Sequence, residues 1–250
     1  KYAFNLWFRE CNSKRLYKDF NPEYYKPIIK EESVDRLNTW NIYLNIENSE
    51  KLHTSKDIFK ISQYFDNDVI SDILKKSNFN TRPRRDAWVK LQDMEVFINK
   101  IEQTTNINRK FYENINVVEY LENVPHNKHF NAYDLFSENG KKNVSVQGQR
   151  VFTMSLFLSD NFKVVFPSLN TSYNFESGDF FIYNNVIDSS LIRDKDLERI
   201  IVSSSGTGYL ANIYVRAKSK SGDTLINDTF KNNLKPEITE IENYTNTLNR

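Results

Sequence analysis

The sequence predicts an α+β domain: a two-sheet jelly roll backed by helices. Three observations lead there. Two amphipathic helical patterns precede residue 102, short β-rich runs follow one another from Asn114 to Arg216, and clusters of Gly, Asn, Ser and Asp separate those runs. Helices first and a run of strands afterwards is the order of packed sheets with helices against them.

The elements follow in order. Residues 11–56 are polar and Tyr-rich and carry Pro22 and Pro27, which reads as a linker lying on a surface. Ile58-Phe59-Lys60-Ile61 is a short alternating strand. Asn67 can cap a helix whose apolar face is Ile70, Ile73 and Leu74. Asp93 can cap a second helix with Met94, Phe97, Ile98 and Ile101 on one stripe, and these apolar residues are core packing. Strands are expected over 115–121, 128–133, 150–158, 180–183, 200–203 and 209–215, all rich in Val, Ile, Phe and Tyr. Beyond Ser221 the chain turns polar again, and Pro236 leads into a possible helix with Ile238, Ile241, Tyr244 and Leu248 on one face.

Composition excludes several functions. At 250 residues the chain can bury a full core, with one domain plus extensions expected. A formal charge of +1 recruits neither nucleic acid nor an anionic membrane, and the basic run from Arg82 to Arg85 reads as a solvated loop. Cys11 is the only cysteine, which removes intramolecular disulfides and thiolate zinc sites. No apolar run is long enough for a bilayer span, the first residues carry no signal-peptide pattern, and localisation is otherwise unknown. No Ser/His/Asp triad, phosphate loop or zinc motif is present. His126, three residues before His129, is read as a surface residue that can bind metal adventitiously, and His53 as solitary.

One stretch carries chemical information. It runs His129-Phe130-Asn131, Gly148-Gln149-Arg150, Phe166-Pro167, Glu176-Ser177-Gly178-Asp179, and Gly206 to Arg216. In order and spacing it resembles the prolyl 4-hydroxylase branch of the Fe(II)/2-oxoglutarate dioxygenases, over about residues 57–218. The resemblance implies a double-stranded β-helix (jelly roll). It also implies an iron site built from His-x-Asp and a distal His, and a Lys ten residues later for the 2-oxoglutarate carboxylate. Here the Asp position is Asn131, the distal His position falls on Glu198 and the Lys position on Gly208. Tyr120 sits where the family has a tyrosine near the co-substrate. The glycine-rich turn before Phe-Pro is missing, because Phe162-Lys163-Val164-Val165 runs straight into Phe166.

These departures set the expectations. Asn131 keeps the shape of Asp without its charge, and Asp134 has the wrong offset from His129 to replace it in a continuing strand. Glu198 can supply a carboxylate from the opposite strand, the bland alternative being an exposed or salt-bridged Glu. Gly208 offers no charge to a buried carboxylate; Arg199 or Arg150 would have to reach in, and Arg150 is expected to serve the fold. The reading is a degenerate, non-catalytic domain with no metal, Fe(II) or 2-oxoglutarate expected, acting as a structural or interaction module with protein partners or neighbouring domains. The resemblance also implies a virion-associated role, because large DNA viruses carry such proteins. The alternative is an active hydroxylase, through a His129/Glu198 site or a preceding intact copy. A third reading is a carbohydrate- or peptide-binding groove with Tyr120 and Trp88 as contacts.

The preceding copy is inferred from residues 1–10, which match 208–217 at Tyr, Asn and Arg and read as the end strand of a homologous domain, with Lys1 at the 2-oxoglutarate lysine position. The expected organisation is therefore 1–10 end strand, 11–56 linker, 57–218 jelly roll and 219–250 C-terminal extension.

Overall fold

The computed structural model describes residues 49–79, 85–187, 191–223 and 225. The end strand at 1–10, most of the linker, the basic run up to Arg84 and the proposed helix after Pro236 lie outside the described residues. In chain order the elements are β1 Glu50–Lys51, β2 Ile58–Ile61, α1 Asn67–Lys76, β3 Asp86–Val89, α2 Glu95–Thr105, β4 Ile115–Tyr120, α3 Glu138–Gln147, β5 Arg150–Phe157, β6 Phe162–Phe166, β7 Thr171–Phe175, β8 Phe180–Asn184, β9 Ile200–Ser203 and β10 Gly208–Arg216.

The strands form a seven-stranded sheet, ordered β1-β2-β8-β5-β10-β4-β3, and a three-stranded sheet, β7-β6-β9. Every pairing within them is antiparallel. Because side chains alternate across a strand, the large sheet sorts them into two cores. Its outer face presents Phe152, Met154, Leu156, Ile182, Ile213 and Val215 to Ile73 of α1 and to Phe97, Ile98 and Ile101 of α2, all buried in one cluster. Its inner face presents Phe157, Phe181, Tyr183, Leu210 and Val118 to Phe162, Val164, Phe166 and Phe175 of the small sheet. Each fully buried ring or branched side chain contributes roughly 1.5–3 kcal/mol of burial, so both faces hold the sheet in place.

The fold class is as expected, with local corrections. Asp66, not Asn67, caps α1 by accepting from the Val69 N–H, which moves the start by one residue. Asp93 ends a short 3₁₀ turn (Leu91–Asp93), and α2 starts after Met94 with no side-chain cap. The end of the expected linker joins the large sheet, where β1 pairs with β2. The strand expected over 128–133 is absent; what remains is an antiparallel bridge between His129 and Arg199. The segment follows Pro125, which has no N–H to give to a ladder, and it clings to β9 through scattered bonds such as His126 N to Ile201 O.

Candidate functional site

The two sheets enclose a cleft whose ends differ. At one end aromatic rings fill the interior. Phe157 stacks on Phe175 with centroids 4.2 Å apart, Phe162 lies 5.2 Å from Phe157, and Tyr120 meets Phe162 edge-on at 5.5 Å. Gly208 opens β10 against this cluster. A Cβ there would stand 2.5 Å from Cζ of Phe162 and 2.8 Å from the Ser203 hydroxyl. The space a longer side chain would need at position 208 is therefore filled by the Phe162 ring. The short Asp160-Asn161 turn, in which Asn161 takes φ 61°, sets that ring by leading β5 directly into β6.

At the other end the inner face is polar. Thr153 and Tyr183 are paired across β5 and β8, and Thr153 and Tyr214 across β5 and β10, so the three side chains share a row. Asn131 is buried above them and donates through Nδ2 to the Thr153 hydroxyl at 2.8 Å and to the Tyr183 hydroxyl at 3.0 Å. Thr153 also bonds the Asn185 amide at 3.0 Å. The Asn131 amide thus works as a donor that ties three segments together. Burial pushes the Tyr183 hydroxyl up to about 12, against a lowering by nearby Arg199 and by its hydrogen bonds.

Arg199 and Glu198 occupy opposite sides of the segment entering β9. In the small sheet Phe162 pairs with Ser203 and Val164 with Ile201, and Leu197, Arg199, Ile201 and Ser203 are all buried. Period-two alternation places these four on the inner side and Glu198 on the outer one. Accordingly Glu198 salt-bridges Lys128 at 2.7 Å. Glu198 is thus the salt-bridged Glu of the bland alternative, turned away from His129. The inward group is Arg199, 3% exposed, with its guanidinium 5.1 Å from the Tyr183 ring centroid. His129 is half-buried; its Nδ1 lies 2.8 Å from the Asn127 carbonyl and 3.2 Å from Nδ1 of His126, so the two imidazoles meet each other.

The remaining candidates disperse. Arg150 clamps Glu113 through two bonds of 2.7 and 2.6 Å and stacks 3.8 Å from the Tyr214 centroid, while Arg216 approaches the same carboxylate at 2.9 Å. Gln149 fixes Tyr133 by bonding both its backbone N–H and its carbonyl at 2.8 Å. Asp134 leaves the cleft, caps Phe136 N and lies 3.6 Å from Arg193. Trp88 is 50% exposed on edge strand β3 opposite Asn116, four residues along β4 from buried Tyr120, so the two do not converge on one groove. His53 bonds only its neighbour Ser55. Among the described residues no three His, Cys, Asp or Glu side chains converge to hold a metal.

Two antiparallel sheets facing each other across a cleft, with helices on the outer face of the larger one, make a double-stranded β-helix. Within that class the fold is prolyl 4-hydroxylase-like. It matches the viral collagen prolyl hydroxylase of Paramecium bursaria Chlorella virus-1 in its 2-oxoglutarate complex with a TM-score of 0.52 and 18% identity, covering 65% of this chain and 97% of that one. A truncated form of the same enzyme matches with a TM-score of 0.50 and 14% identity, over 68% and 98% of the two chains. In sequence the chain is 24% identical over 157 residues to a putative prolyl 4-hydroxylase of Acanthamoeba polyphaga mimivirus, covering 60% of this chain and 65% of that protein. No family profile matches the chain.

At the positions where the resemblance implies iron and 2-oxoglutarate, the residues differ from the implied set. The metal position has one imidazole turned toward another, an amide committed as donor and an inward cation. A dication beside a buried guanidinium is repelled. The position of the co-substrate lysine is a glycine backed by a phenyl ring.

Proposed function

We propose that this domain does not hydroxylate and instead serves as a structural or interaction module of a larger protein or assembly, with protein partners. The observation that carries the reading is the inward Arg199 in place of an inward imidazole or carboxylate. Two further facts support it: Asn131 spends its amide protons on Thr153 and Tyr183, and Phe162 occupies the room beside Gly208. These changes leave His129 as the one implied metal ligand present and take away the co-substrate cation, while both hydrophobic cores stay filled. Viral proteins are among those it resembles, which makes a virion-associated role part of this proposal.

The test is an anaerobic titration of the folded protein with Fe(II) and 2-oxoglutarate, followed by visible absorption. No charge-transfer band is expected. A saturable band, lost in Asn131→Ala or His129→Ala, would restore the hydroxylase reading. Recovery of the protein from purified particles would support the assembly role, and its consistent absence from them would remove it.

A further inference from the structure

Arg199 poses a charge problem that the non-catalytic reading leaves open. It is almost wholly removed from solvent, and among the described residues its Nη1 has no hydrogen-bond partner. Among the described residues no carboxylate pairs with it. The neighbouring cationic groups are no help. Arg150 and Arg216 already share Glu113 between them, and their guanidiniums flank the rings of Tyr133 and Tyr214 on the same inner face. Two guanidiniums therefore share one carboxylate, and among the described residues the third, Arg199, has none. Water can satisfy a donor, but it does not neutralise a buried cation, and an uncompensated buried charge is strongly disfavoured.

We propose that Arg199, at the polar end of the cleft beside Tyr183 and Asn131, forms a binding site for a small carboxylate anion. The chemistry around Arg199 selects that class. The guanidinium face is covered by the Tyr183 ring, so an anion meets the group in its plane, along N–H directions that match carboxylate oxygens. The amide of Asn131 is committed to Thr153 and Tyr183, which holds the Tyr183 ring in place as the wall of the site. The low exposure of Arg199 limits the occupant to a few atoms. The carboxylate can come from a free small acid or from an acidic side chain of a partner, and the two share the recognition chemistry.

Formate is the smallest probe of that chemistry. Sodium formate is titrated into the ¹⁵N-labelled protein, with ionic strength held by a bulky sulfonate salt, and the arginine Nε–H correlations are followed. The Arg199 signal is the one missing from the Arg199→Lys spectrum. A saturable shift confined to that signal is expected, and Arg199→Gln should bind formate at least about tenfold more weakly, because a hydrogen bond to a charged group is lost. A flat Arg199 signal in the unmodified protein overturns the proposal without reference to any variant. An equal formate response of the protein and Arg199→Gln, read by thermal shift, overturns it as well. If formate binds, repeating the titration with an acidic peptide in place of formate separates the two sources: binding with similar saturation assigns a partner side chain, and its failure assigns a free small acid.

Discussion

Substituting Gly208→Ala tests whether the co-substrate end of the cleft is closed by packing. Gly208 does not need a glycine for its backbone, since its φ lies outside the left-handed region, so the penalty is steric alone. The added Cβ would lie 2.5 and 2.8 Å from two ring atoms of Phe162 and 2.8 Å from the Ser203 oxygen. Comfortable carbon contacts are about 3.5–4.0 Å, so the ring must withdraw by about 1 Å. It has little room to do so, because Phe157 and Tyr120 stand 5.2 and 5.5 Å behind it. Overpacking of this kind costs about 1–3 kcal/mol. Loss of glycine entropy from the unfolded chain returns about 0.4–1 kcal/mol. The net expectation is a destabilisation of about 1–2 kcal/mol, or roughly 2–8 °C in Tm for a domain of this size. Urea unfolding should give a lower midpoint with an unchanged slope. The decisive comparison is the double-mutant cycle with Phe162→Leu, in which removing the ring should relieve at least about 0.5 kcal/mol of the Gly208→Ala penalty. A neutral Gly208→Ala, or the same penalty with and without the ring, would refute the idea that Phe162 closes this end.

Two other predictions follow from the inner face. Glu113→Gln leaves Arg150 and Arg216, whose side chains are only 16% and 9% exposed, without their shared carboxylate; unfolding in urea should register a loss of about 3 kcal/mol, and a loss below about 1 kcal/mol would show that stacking on Tyr133 and Tyr214 holds the arginines instead. Tyr183 keeps its proton to about 12 in the fold against 10.0 for an ordinary tyrosine, so between those values the native state binds more protons than the unfolded one and stability must fall as pH rises. The loss is about 3 kcal/mol from pH 10 to 12, absent below pH 10; burial of Tyr112 acts in the same direction. Unfolding curves over that range should be shallower in their pH dependence for Tyr183→Phe, and an unchanged dependence would mean the Tyr183 hydroxyl is not held protonated.

The parts of the fold legible in the sequence are those where one period dominates. Ile70, Ile73, Phe97, Ile98 and Ile101 repeat with a helical spacing, and β5, β8 and β10 are nearly unbroken apolar and aromatic runs because both of their faces are buried. What stayed hidden lacked a single period. Helix α3 has only Gly140 buried, so no apolar stripe announces it; its start is set by the Ser137 side chain accepting from Gly140 N. Strand β7, Thr-Ser-Tyr-Asn-Phe, lies on the edge of the small sheet and reads as a polar turn. The site was legible at Asn131 and Gly208, where one residue type replaces another. At Glu198 the sequence left a replacement ligand and a salt-bridged Glu both open, because Leu197-Glu198-Arg199-Ile200-Ile201-Val202 is apolar on both sides and its alternation has two phases. Only pairing with β6 selects the phase that turns Arg199 inward.

That phase also decides how the replaced positions depend on one another. Were Asn131 alone returned to Asp, the new carboxylate would lose the two donor bonds to Thr153 and Tyr183 and would face the guanidinium that stacks on Tyr183. Opposite charges at short range inside a protein attract strongly, and the arginine is already in place and desolvated. The restored acid would thus become the counter-ion of Arg199 before it became a ligand. Were Gly208 alone replaced by Lys, the side chain would have to displace Phe162 from its packing against Phe157 and Tyr120. Each reversal is opposed by a neighbour that has taken over the vacated space or charge. Single substitutions toward the residues the resemblance implies therefore lead toward packing or ion pairing, and Arg199 and Phe162 would have to change along with them.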